Sequence, residues 1–159
     1  MPKIEVSGFV RKKYKELATN VAQQVIKFMK QSDGLEVAIR FVSNNEIKKL
    51  NRDIRGIDKV TDVLSFPSTE TKPAEIFDCN SVEAEMLKTD DGFVHFGDMA
   101  ICISKCKKQA REFGVSVQSE IKKLVIHSML HLMGYDHIKD EDFEVMNKKE
   151  IELDKKIKI

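Results

Sequence analysis

The chain has 159 residues, 42% of them apolar, and a formal charge of +1. That length and apolar content support one core-bearing domain spanning residues 1–159, and they make a disulfide scaffold, a repeat array or a disordered chain unnecessary. No run approaches the ~20 apolar residues of a membrane span, and the opening MPKIE lacks a signal peptide's apolar segment. Cys79, Cys102 and Cys106 are odd in number and form no C-x-x-C pair, so reduced thiols and a cytoplasmic location are expected.

Residues 2–7 alternate as a short strand, and residues 9–31 read as an amphipathic helix with Leu17, Val21, Val25 and Phe28 at helical spacing, ended by Gly34. Residues 35–42 alternate through Leu35, Val37, Ile39 and Phe41 as a second strand. Ser43 with Glu46 forms a capping box that opens a helix carrying Ile47, Leu50 and Ile54 and closing at Gly56. Residues 62–66, stopped by Pro67, make a short strand suited to a sheet edge.

Residues 68–92 lack a sustained period and read as an acidic surface excursion with one helical turn near 82–87. This stretch holds seven acids and two lysines, a balance of −5 that leaves +6 for the rest of the chain. A basic body with an acidic flap can attract polyanions, although solvated helix faces are the simpler account of any single charge cluster.

Strand character returns over 93–103, in two pieces around Gly97-Asp98, and Ser104 is placed to cap a helix running to Gly114. Ser116 caps the next helix, which becomes almost wholly apolar over 124–133 (LVIHSMLHLM), the pattern of a helix buried at a domain's centre. After Gly134 a charged helix spans about 140–155. About four strands and five helices in mixed order predict an α+β fold, a small mixed four-stranded sheet covered by helices.

Three of the four histidines fall within the segment HSMLHLMGYDH at 127–137. His127 and His131 are four apart, so both imidazoles lie on one helix face, ~5–6 Å apart at Cβ. His137 is reached only if the chain leaves the helix and turns back, and Gly134 supplies the left-handed residue that such a turn prefers. Burying two unpaired imidazoles in so apolar a helix is costly, whereas one shared cation accounts for both. Three neutral nitrogens suit a single Zn²⁺ with a fourth position open to water, whose pKa falls toward ~7 there.

The same spacing is similar to that of the metzincin peptidases, H-E-x-x-H-x-x-G-x-x-H. Where those enzymes carry their general-base glutamate, this chain has Ser128, which holds no proton near neutral pH. A zincin-like fold with a different reaction, or with a different base, is therefore expected.

Together with RGIDKVTDVLSFP at 55–67 and GDMAICIS at 97–104, the histidine segment resembles the YbeY family of bacterial rRNA-maturation endoribonucleases. The motifs follow the family's order and leave only residues 68–92 outside the likeness. The resemblance implies a zinc-dependent, single-strand-specific endoribonuclease acting on the 3′ end of small-subunit (16S) rRNA and in ribosome quality control. It implies rRNA and the small ribosomal subunit as partners, with ribosomal proteins or an assembly GTPase beside them. By the same likeness His127, His131 and His137 match zinc ligands and Arg55 matches an arginine of the active-site cleft, where a permanently charged guanidinium can fork onto a phosphate. Ser128 and Val60 stand where the family usually has Gly and Pro.

Several residues carry two readings each. Asp136 suits either orientation of an imidazole or turn chemistry after Gly134. Glu120, on the stripe of His127, suits either a general base or a first-turn acid answering the helix dipole. Lys105, Lys107, Lys108 and Arg111 suit phosphate contact or plain solvation, while His95, Cys102 and Cys106 read as structural. Two other functions compete with RNA cleavage: a zinc peptidase on a related scaffold, and a non-catalytic ribosome-assembly factor with a structural zinc.

Overall fold

The computed structural model describes residues 1–159. The chain runs β1 (Lys3–Gly8), α1 (Lys12–Phe28), β2 (Leu35–Val42), α2 (Asn44–Arg55), β3 (Val63–Pro67), α3 (Val82–Met86), β4 (Val94–Cys102), α4 (Ile103–Phe113), α5 (Val117–Leu132) and α6 (Asp140–Lys156). The strands form one sheet in the order β1-β2-β4-β3. β1, β2 and β4 are parallel, and β3 pairs antiparallel with β4 as an edge. This is the expected α+β layer, with the short α3 as a sixth helix.

Alternation along the strands sorts the apolar residues onto two faces of unequal thickness. Leu35, Val37, Ile39 and Phe41 of β2 join Phe96, Met99 and Ile101 of β4 beneath α1 and α5, in a cluster of 29 buried residues. On the opposite face Val42, Leu64, Ala100 and Cys102 meet Ile47 of α2 in a cluster of only five. The heavier layer is therefore the one that holds α5. That helix touches α1, α4 and α6 as well as β3 and β4, so apolar side chains on every side of it are required rather than incidental. At its C-terminal end it lies against the sheet over Gly97, where a Cβ would come within 2.7 Å of Leu132 and 2.9 Å of the Phe66 carbonyl.

Some boundaries differ from expectation. α1 begins at Lys12 because Phe9 finds nothing to pack on and is fully exposed. Ile54 likewise stays exposed while Ile47 is buried. β4 is one strand, not two, because an irregularity in its pairing with β2 at Glu36/Val37 absorbs the break near Gly97. α4 starts two residues early, with Cys102 rather than Ser104 at its N-cap, and the Ser104 hydroxyl accepts from Asn44 instead at 3.4 Å.

The segment 68–92 exposes all seven of its acids, yet it is fastened to the body at several points. Thr69 and Thr71 are buried with their hydroxyls 2.6 Å apart. Gln31, just beyond α1, donates to the Glu75 carbonyl at 2.9 Å and accepts from the Phe77 backbone N–H at 3.0 Å. Phe77 is buried with its ring centroid 5.9 Å from that of Phe96. In α3 the Ser81 hydroxyl caps the Ala84 N–H, and Ala84 is buried.

Candidate metal centre

His127 and His131 project from the last two turns of α5, and Gly134, at φ +92°, turns the chain so that His137 comes back to them. One ring nitrogen from each of the three lies within 4.8 Å of the others. Nε2 of His127 and Nε2 of His131 are 3.1 Å apart. Two nitrogens bound to one tetrahedral ion at ~2.0–2.1 Å stand roughly 3.3 Å from each other, so this spacing fits a single metal. His131 is partly buried, and that burial, reinforced by the two neighbouring imidazoles, pushes its pKa down to about 4. Its ring is therefore neutral near pH 7 and keeps a lone pair for a cation.

The turn is tightly determined. A Cβ on Gly134 would fall 1.8 Å from the Thr71 carbonyl oxygen, so the histidine turn and the acidic segment meet backbone to backbone. Asp136 accepts from the His137 N–H at 2.6 Å, which spends one carboxylate oxygen on the turn. Sequence reading missed Glu150 altogether. Its Oε1 lies 2.9 Å from Nδ1 of His127, across from α6 to α5.

Arg55, the last residue of α2, lines the same cleft of about 540 Å³ as His127, His131 and His137, with Thr61, Val63 and Ser65 beside it. It is exposed and joins no ion pair. Glu120 takes no part in this cleft. It is 1% exposed, its carboxylate accepts from Gln109 at 3.2 Å, and Lys123 stands 3.6 Å away. Ser128 is fully buried with its hydroxyl 2.6 Å from that of Ser65, so it fastens α5 to β3.

His95 faces Asp98 at 2.9 Å and Glu36 at 3.7 Å, apart from the other histidines. Cys102 donates to Asn44, and burial pushes the Cys106 thiol up to about 12, which leaves both cysteines inert structural residues. Lys105, Lys107, Lys108 and Arg111 lie on α4 and do not line the cleft.

Three imidazoles and an unpaired arginine thus face one cleft. The sequence profile described as Endoribonuclease YbeY matches residues 3–158. The chain belongs to the YbeY endoribonuclease family. Endoribonuclease YbeY of Clostridium kluyveri is 38% identical over 159 residues, covering 99% of this chain and 94% of that protein. Its Thermoanaerobacter pseudethanolicus namesake is 42% identical over 139 residues, 87% of this chain and 84% of the relative. The solution structure of TM1509 from Thermotoga maritima superposes with a TM-score of 0.58 at 28% identity, over 96% of this chain and 87% of that one. No helix of the YbeY-family chain described here is long and apolar enough to cross a membrane.

Proposed function

We propose that this chain is a cytoplasmic, zinc-dependent endoribonuclease that cuts single-stranded RNA in maturation of the small-subunit rRNA 3′ end. His127, His131 and His137 hold one zinc ion, and Arg55 binds the phosphate. The observation that carries this reading is the convergence of the three ring nitrogens in a cleft shared with an unpaired arginine, in a chain of the YbeY family. When bound there, a zinc ion supplies positive charge at the phosphodiester and a water made acidic enough to act near neutral pH.

The chain's own residues do the rest. The neutral His131 ring offers its lone pair without a proton to lose first. Arg55 places a permanent charge, free of any carboxylate partner, where the extra negative charge of phosphodiester cleavage builds up. A peptidase is disfavoured because Ser128, bonded to Ser65, stands where zincin peptidases carry their general-base glutamate, and Glu120 is turned away to Gln109. Small-subunit rRNA is the substrate this reading names, with ribosomal proteins or an assembly GTPase as its partners.

The test incubates zinc-loaded protein with precursor small-subunit rRNA and maps the ends. Wild-type protein is expected to give defined cuts that disappear on chelation and in His131→Ala. Arg55→Glu is expected to lower the rate by roughly 10²–10³-fold, the scale of losing one transition-state donor. Cutting that survives both chelation and His131→Ala overturns the metal mechanism, and turnover of peptides instead of RNA overturns the substrate.

A further inference from the structure

The contact between His127 and Glu150 joins residues 23 apart in sequence and two different helices. α6 carries seven acids, and most of them have evident local uses. Asp140, Glu141 and Asp142 occupy its first turn, where the helix dipole favours negative charge. Glu152 is held by Lys149 at 3.0 Å and Lys156 at 2.9 Å, and Asp154 by Lys122 at 3.2 Å. Glu150 turns inward instead, to an imidazole, with both side chains mostly shielded at 25% and 29% exposure.

The chemistry of that contact is one-sided. A carboxylate only accepts, so the hydrogen of a neutral His127 ring must be on Nδ1, which leaves Nε2 bare. Nε2 is the atom that lies 3.1 Å from His131 Nε2, on the side of the other two histidines. We infer that Glu150 is a positioning residue that fixes the tautomer and orientation of His127, so that its Nε2 is presented to the metal. The inference rests on the metal-centre reading above and is independent of the RNA substrate. Glu150 itself lines a second hollow of about 380 Å³ between α4, α5 and α6 rather than the histidine cleft. Its side chain can thus be replaced without filling the space where substrate would lie.

The experiment compares wild-type full-length protein with Glu150→Ala, the near-isosteric Glu150→Gln and, as a control, Glu144→Ala at an exposed position of the same helix. Nitrogen-proton correlation spectra of the metal-free proteins, taken where the ring is neutral, read which nitrogen of His127 bears the hydrogen. The hydrogen is expected on Nδ1 in wild type and redistributed toward Nε2 in Glu150→Ala. Competition against a zinc chelator is expected to show 10–100-fold weaker binding for Glu150→Ala, the usual scale for such outer partners. Glu150→Gln, whose amide oxygen still accepts from Nδ1, should recover part of the loss, and Glu144→Ala should bind as wild type does.

A wild-type ring with its hydrogen on Nε2, or zinc affinities within about twofold of wild type in both Glu150 variants, overturns the inference. The predicted wild-type tautomer and variant affinity shifts, found with wild-type protein that leaves rRNA uncut, support the inference and break only the substrate reading. Wild-type protein that cuts RNA while its Glu150 variants bind zinc undiminished breaks the inference alone.

Discussion

The histidine turn at 127–137 and the acidic segment at 68–92 meet at Gly134 and Thr71, yet they are built in opposite ways. The turn inherits its geometry from a helix: two histidines one turn apart, a left-handed glycine and an aspartate that fixes the next N–H. The segment has only one short helix and is held by scattered anchors instead. These are a buried threonine pair, the two bonds of Gln31, and Phe77 against Phe96. Order can thus come from regular structure in one region and from a few long-range fasteners in its neighbour.

Substitutions can pull the two regions apart. The largest effect is expected for Gly134→Ala, which strains a left-handed residue and drives a methyl into the Thr71 carbonyl. Strain and overpacking together should cost about 4 kcal/mol, read as a lower unfolding midpoint, with zinc binding lost as well. A cost under about 1 kcal/mol would show that the two backbones are not in contact.

Phe77→Ala should come next, at about 3 kcal/mol for emptying a core position, with zinc affinity unchanged. If zinc binding fell equally, the segment would be part of the metal centre's support and the contrast between the two regions would fail. Gln31→Ala should cost about 1–2 kcal/mol by leaving the Glu75 carbonyl and the Phe77 N–H without their partner. Hydrogen exchange should then quicken around 75–77 and stay slow in α5.

How much of this was legible follows from how local each signal is. α5 announced itself through its unbroken apolar run, and the three histidines through a spacing that only a helix and a turn can bring together. Ser43 and Glu46 form the capping box that their spacing predicts. Glu150 was not legible, because it is one acid among seven on a charged helix and its partner lies 23 residues away. The fasteners of 68–92 were hidden for the same reason: Phe77 follows Ile76 in a stretch with no sustained period, and Gln31 acts on backbone atoms 44 and 46 positions away. Arg55 could be placed in the cleft only by resemblance, since a basic residue ending a helix is sufficiently explained by the dipole.

The support that Glu150 gives His127 also has an order in time. Protein synthesis runs from the N-terminus, so a growing chain that has just added His137 already owns all three imidazoles, but α6 begins only at Asp140. The carboxylate arrives thirteen residues after the last ligand. Synthesis therefore supplies the residues that would hold the metal before the one that would aim it.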